Sequence, residues 1–106
     1  MEPQPGFYYH YKHDSTKGVF DYAYEVLNIG HHTEIEDWKA GEMVVYRPLY
    51  ESAQVYQSGK HWDVRPRAMF LESVIKNDKT FPRFQKITDS KIISKLENQV
   101  KKLYKN

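Results

Sequence analysis

The sequence has no cysteine and no long apolar run, and each absence excludes a class of protein. A chain without cysteine cannot form a disulfide framework, a thiolate zinc site, an iron–sulfur cluster or a cysteine nucleophile. No run of about eighteen apolar residues is present to cross a bilayer, and the first residues include no apolar stretch of signal-peptide length. We therefore expect a cytoplasmic protein with no membrane contact.

The sequence also has little excess of either charge, because 16 Lys and Arg residues against 14 Asp and Glu residues give a net charge of +2. That excess is too small to indicate a nucleic-acid-binding protein by itself. Residues 1–87 carry a net −1, whereas residues 88–106 carry +3. We therefore expect any basic surface in the C-terminal segment, on Lys91, Lys95, Lys101, Lys102 and Lys105.

Aromatic residues are abundant. They make up 15% of the 106 residues, with nine tyrosines, which suits packed strands and excludes a disordered tail. The length allows one domain with one core. The tyrosines and tryptophans exceed what one small core can enclose, so we expect some at the surface, where rings stack on bases or pack on peptides.

Residues 88–106, TDSKIISKLENQVKKLYKN, have the clearest periodicity in the chain. At about 100° per residue the apolar positions gather on one side, which predicts an amphipathic helix. We expect that side to pack on the rest of the domain through Ile93, Leu96, Val100 and Leu103. The opposite lysine face is either ordinary solvated surface or a contact for an acidic protein partner.

Before Thr88 the apolar residues alternate with period two, which is typical of half-buried strands. Strands are predicted in GFYYHYKH, DYAYEVLNIGHH, EMVVYRPLY and HWDVRP, and a last hairpin from RAMFLESVI to FPRFQKI, although RAMFLE could also form a helical turn. So many short antiparallel strands favour a small SH3-like β-barrel. The predicted organisation is a flexible segment 1–6, a barrel 7–87 and a helix 88–106.

Several short motifs, HYK, YEVLNIGHHTE, VVYRPLY, VRP, MFLE and PRF, occur in this order. Together they resemble the small bacterial and phage family catalogued as domain of unknown function 1653. The resemblance runs from about Tyr9 to Phe84. It implies a compact β domain without an established activity, and it favours a binding role. Pro48 beside Arg47 departs from the family pattern, as do two extended loops.

Two arginines each precede a proline, in VVYRPLY and in WDVRP. A residue before proline is held extended, so the directions of Arg47 and Arg65 are restricted. A planar guanidinium binds carboxylate or phosphate through two parallel hydrogen bonds. The alternative is that the arginines form internal salt bridges, with Glu25, Glu34 or Glu72 as partners.

Catalytic and metal signatures are weak. The cluster His31, His32, Glu34, Glu36 and Asp37 has the residue types of a divalent metal site, but adjacent histidines on a strand point to opposite faces. We predict no metal and no cofactor. The sequence has no P-loop, nucleophile elbow or dinucleotide loop, so an enzyme using His32 and Glu34 as an acid–base pair ranks third among the candidate functions.

The first candidate function is a non-catalytic binding module for an anionic, base-containing ligand, either a nucleotide or a short nucleic acid. Strand ends are expected to bring one concave patch together from Tyr24, His32, Glu34, Tyr46, Trp62, Arg65 and Arg83. In that patch the two arginines hold an acidic group, the tyrosine and tryptophan from the middle strands stack on a flat one, and the histidine supplies a hydrogen bond. The alternatives are an internal brace made by the same residues, or a domain that binds an extended peptide or an acidic protein.

Overall fold

The computed structural model describes residues 3–50 and 62–104. Its elements follow in the order β1 (Gly6–His10), a 3₁₀ turn (Ser15–Lys17), β2 (Ala23–His31), α1 (Trp38–Gly41), β3 (Glu42–Pro48), β4 (Asp63–Pro66), α2 (Arg67–Phe70), β5 (Ser73–Lys76), β6 (Lys79–Pro82), β7 (Phe84–Lys86) and α3 (Ser90–Leu103). The first four predicted strands are each found. α1 was not predicted, and the helical alternative for RAMFLE is correct for α2.

Five strands form one antiparallel sheet in the order β4-β3-β2-β1-β7. A mainly antiparallel β fold with a C-terminal helix is therefore confirmed. The closed SH3-like barrel is not confirmed, because within residues 3–50 and 62–104 the sheet is open, with β4 and β7 as its edges. β5 and β6 pair only with each other, so they do not join those edges.

The separate β5–β6 hairpin turns at Asn77 and Asp78, whose φ angles are 53° and 62°. A two-residue hairpin turn of type I′ needs positive φ at both positions, and Asn and Asp tolerate it better than other side-chain-bearing residues. The turn places Lys76 directly opposite Lys79. The predicted last hairpin is thus split, because β6 stops at Pro82 and the next strand, β7, joins the large sheet beside β1.

Alternating side chains give the sheet two apolar faces. One face forms a cluster with α2, made of Tyr8, Val26, Val44, Tyr46, Phe70 and Phe84. The other face forms a cluster with α3, made of Phe7, Ala23, Leu49, Ile87 and Leu96. The sheet is therefore covered on both sides, by α2 on one face and by α3 on the other. Side chains on opposite faces belong to different clusters.

Helix α3 packs as the periodicity predicts. Asp89 caps its N-terminus by accepting hydrogen bonds from the backbone N–H groups of Lys91 and Ile92 at 2.9 and 3.1 Å. Leu96 and Leu103 are buried, while Ile93 and Val100 are partly buried against the α3 cluster. None of the helices in the described part of the chain has the length and apolar content that crossing a bilayer requires.

Arg47 lies on the face that α3 covers. Its guanidinium is 2.8 Å from the Glu25 carboxylate, and the two side chains are only 13% and 21% exposed. The guanidinium also lies 4.1 Å from the centre of the Tyr104 ring. For this arginine the internal salt bridge is therefore the correct interpretation, and Pro48 ends β3 as expected.

Candidate functional site

Three of the seven predicted site residues lie together on the face that α2 covers. The Arg65 Nε–H donates to the Tyr46 hydroxyl at 3.2 Å, and its guanidinium lies 5.6 Å from the centre of the Phe84 ring. Tyr24 packs edge-on against both Tyr46 and Phe84, at 5.6 Å. The sheet register thus brings side chains from β2, β3, β4 and β7 into one aromatic group.

The aromatic rings of this group mostly contact other side chains of the protein. Tyr46 is 6% exposed and contacts the rings of Phe70 and Phe84 at 5.7 and 5.8 Å. The Tyr24 hydroxyl shares a short hydrogen bond with Tyr50, and burial, followed by that bond, raises the pKa of Tyr24 above its ordinary value. Little of the Tyr46 ring is open to stack on a ligand, and the binding role of this group stays a prediction.

Arg83 follows β6 and belongs to the same region, held by three contacts. Its guanidinium is 3.3 Å from the Glu72 carboxylate. Its backbone N–H donates to the Glu72 carbonyl, and its own carbonyl accepts from the Tyr11 N–H, both at 2.9 Å. Glu72 was predicted as a partner of Arg47 or Arg65, but it pairs with Arg83, which braces the start of β7 and positions Tyr11.

Of the remaining three predicted residues, two lie at the far end of β2, and the third, Trp62, is an exposed residue beside β4. His32 and Glu34 follow the end of β2 that pairs with the start of β3, whereas Tyr24 pairs with the end of β3 at Pro48. Eight extended residues span about 25 Å, so this pair does not join the aromatic group. Nδ1 of His32 accepts from the Glu34 backbone N–H at 3.2 Å. Trp62 precedes β4 and is 61% exposed.

His10, at the end of β1, was not among the predicted site residues. Its ring lies 4.5 Å from Tyr11, 5.5 Å from Tyr22 and 5.2 Å from Phe84. Burial lowers the pKa of His10 from its ordinary 6.5 to about 4, with smaller contributions from the positive charges of Lys12, Arg83 and Arg65. The imidazole is therefore neutral at pH 7, and its Nδ1 accepts from the Lys12 backbone N–H at 3.2 Å.

The lowered pKa makes a prediction for acid stability. His10 binds its proton more weakly when folded, so its contribution is fully present above about pH 6.5 and is lost as the pH falls from there towards 4. We expect the free energy of unfolding to fall less steeply across that window in His10→Gln, whose amide oxygen can still accept from Lys12. Urea unfolding at several pH values measures this. Identical slopes in both proteins, or an imidazole NMR titration midpoint near 6.5, would contradict the assignment.

Beside His10, three cavities meet at Tyr11, which lines all of them. The first, which we call the lysine recess, has a volume of about 570 Å³ and is lined by Tyr11, Lys12, His13, Asp14, Ser15, Lys17, Tyr22 and Lys76. The second, the hairpin cavity, has about 330 Å³ and is lined by Tyr11, Lys76, Asn77, Lys79 and Phe81. The third, the strand cavity, also about 330 Å³, lies along β1 and β7 and includes His10, Phe81, Lys86 and Asp89.

The lysine recess combines positive charge with aromatic rings. It has three lysines against one carboxylate, that of Asp14. This carboxylate already accepts from the Thr16 hydroxyl at 2.6 Å and from the Thr16 N–H at 2.9 Å, and these bonds lower the pKa of Asp14. The recess can therefore attract an anion with its lysines and present Tyr11 and Tyr22 to a flat group.

The sequence contained part of the signal for this recess. HYK was among the family motifs, and it supplies His10, Tyr11 and Lys12. The net charge of −1 over residues 1–87 gave no indication of a basic surface there. A sum over the sequence does not show which charged side chains the fold brings together. The placement of Lys76 depends on the β5–β6 hairpin; the sequence predicted a hairpin around KNDKT but not its separation from the large sheet.

The described residues do not bring metal-binding side chains together. Within residues 3–50 and 62–104, no group of three or more His, Cys, Asp and Glu side chains is placed to hold a metal ion. The His31 ring instead packs on Trp38 at 4.3 Å. A side chain at Gly41 would come within 2.6 Å of His31 Nε2, so the glycine gives this ring its space.

Comparisons with known proteins agree with the fold. Residues 6–86 match the family model described as "Protein of unknown function (DUF1653)". A crystal structure of a DUF1653 protein from Bordetella bronchiseptica is 25% identical in sequence, with a TM-score of 0.58 over 84% of this chain and 96% of that one. A search of the curated proteins finds no match to this chain. Since the family model covers most of the chain, this protein belongs to the DUF1653 family.

Proposed function

We propose that this protein is a non-catalytic binding module for an anionic, base-containing ligand, a nucleotide or a short nucleic acid. The observation that carries the proposal is the convergence of three lysines and two tyrosines on one recess. Its volume of about 570 Å³ lies within the range of about 300–1,000 Å³ that is usual for small-molecule sites. We further propose that the protein acts in the cytoplasm, because a chain without cysteine suits a reducing compartment.

The proposed contacts follow from the chemistry of the lining residues. Lys12, Lys17 and Lys76 would hold phosphate groups, for which an ammonium is a compact point charge. Tyr11 and Tyr22 would pack on the base, since aromatic side chains stack on any base. Arg83 would support the site by accepting a hydrogen bond from the Tyr11 backbone N–H.

Calorimetric titration with ATP tests this assignment. We expect Lys12→Ala and Lys17→Ala each to weaken binding about threefold to tenfold, because each removes one charge that faces phosphate, worth about 0.7–1.4 kcal/mol. The matched control is Lys102→Ala, which removes an exposed lysine of α3 that lines none of the three cavities. Equal weakening by all three variants would contradict the site, as would unchanged binding in all of them.

A protein partner is the second candidate, and a specific observation favours it. β4 is an edge strand among the described residues, and Val64 in it is 66% exposed, next to Trp62 at 61%. An exposed edge can accept an added strand from an extended peptide.

The lysine face of α3 is a second candidate surface, with exposed Lys91, Lys95, Lys101 and Lys102, whereas Lys105 lies outside the described residues. Salt separates the candidates, because binding to several phosphates weakens steeply as salt rises.

A further inference from the structure

We infer that the ligand is a single strand of nucleic acid several nucleotides long, held along all three cavities, and not a mononucleotide held in one of them. This inference rests on the proposed function and extends it. The three cavities are neighbours, because Tyr11 lines each of them, while Lys76 and Phe81 each line two. A mononucleotide would occupy one cavity and leave the other two empty.

The hairpin provides the strongest evidence for an extended anion. Lys76 and Lys79 are direct cross-strand partners, both exposed, and both line the hairpin cavity. Like charges directly opposite each other destabilise an antiparallel pair. A phosphate between the two ammonium groups would remove that repulsion, and it would extend the contacts beyond the recess, because Lys79 lines the hairpin cavity and not the lysine recess.

Positive charge is also present in the third cavity. Lys86 lines the strand cavity, so lysines occur in every one of the three cavities. Together they number five, against the carboxylates of Asp14 and Asp89. Charge spread over neighbouring cavities matches a repeating phosphate backbone better than a single phosphate group, whose site would concentrate its donors at one point.

Aromatic rings line the same cavities as these lysines. Tyr11 lies where the cavities meet, and Phe81, which is 40% exposed, lines both the hairpin and the strand cavities. Nonspecific single-strand sites combine a basic groove with rings on which successive bases stack. A duplex keeps its bases paired inside and cannot offer them to these rings, so a single strand is the expected form.

The test is fluorescence anisotropy with a labelled thymidylate hexamer, competed by unlabelled hexamer, trimer and thymidine monophosphate. We expect the hexamer to bind at least tenfold more tightly than the monophosphate, with the trimer between them. Neutralised phosphates lower log K by about 0.7 each per tenfold rise in salt for single strands, so four contacts give a slope near −3. A uridylate hexamer and a duplex long enough to stay paired at 50 mM salt complete the series and separate DNA, RNA and double strands.

The matched variants are Lys79→Gln and Lys102→Gln. Lys79→Gln should weaken hexamer binding at least threefold and leave the melting temperature equal or higher, since it removes the like-charge pair. Lys102→Gln should leave hexamer binding unchanged. Equal affinity for monophosphate and hexamer, or for duplex and single strand, would overturn this inference and leave the proposed function standing. No binding of any nucleotide at 50 mM salt would overturn both.

Discussion

Deleting residues 88–106 is expected to leave the sheet largely unfolded at 25 °C. The deletion uncovers the second face of the sheet, where Leu96 and Leu103 are buried at about 2 kcal/mol each. It also exposes partly buried side chains, Ile92, Ile93, Val100 and Tyr104. The sum, about 5–8 kcal/mol, is comparable with the whole stability of a small domain, about 5–15 kcal/mol.

The helix also supplies polar contacts that the deletion removes. Gln99 donates to the Leu49 carbonyl at 3.1 Å, and the Tyr104 hydroxyl donates to the Pro48 carbonyl. Circular dichroism and urea unfolding measure the outcome. In the full-length chain, Leu96→Ala should lose about 2–5 kcal/mol, whereas its exposed neighbour Lys95→Ala should lose almost nothing. An unchanged melting temperature after the deletion would show that α3 does not stabilise the sheet.

Replacing Phe70 with alanine is expected to cost about 3–5 kcal/mol, the usual loss for a buried phenylalanine. Phe70 is 1% exposed and stacks on Phe84 at 4.2 Å with an angle of 1° between the rings. It also meets Tyr8 and Tyr46 edge-on at 5.6 and 5.7 Å. Alanine would leave a cavity between α2 and the sheet.

The structural change should extend to His10 in the strand cavity, because Phe84 also contacts the His10 ring at 5.2 Å. We expect Phe70→Ala to shift the NMR resonances of His10, as well as lowering the urea midpoint. The matched control is Met69→Ala, one residue earlier in α2 and 45% exposed, which should be nearly neutral. If the two variants were equally stable, the packing of α2 on the sheet would be wrong.

Periodicity made the strands and the last helix predictable. Val44, Tyr46 and Pro48 are buried while the alternate positions Val45 and Arg47 are less so, which is the period-two pattern of the sequence. The helix likewise follows its 3.6-residue repeat and buries Leu96 and Leu103. Local patterns of this kind report which side of an element is apolar, and each element here needs only that information.

Whether a sheet closes into a barrel, and which side chains meet at a site, depend on pairing between residues far apart in the sequence. The local sequence pattern carries no information about that pairing. Pro82 and Phe84 read as one strand in FPRFQKI, yet Arg83 between them separates two strands that pair with different partners. The sequence allowed ligand contacts for Arg47 and Arg83, whereas in the structure they pair with Glu25 and Glu72. An arginine with an internal partner and an arginine that binds a ligand look the same in the sequence.

The most direct test of the central claim is a map of backbone ¹H–¹⁵N shift changes while ATP is added to the full-length protein. The account predicts that the largest changes occur at Tyr11, Lys12, Lys17, Tyr22 and Lys76, around the lysine recess, and that α3 is unaffected beyond its first turn. Changes confined to the lysine face of α3 or to the edge strand around Val64 would contradict it, and so would a spectrum that does not change.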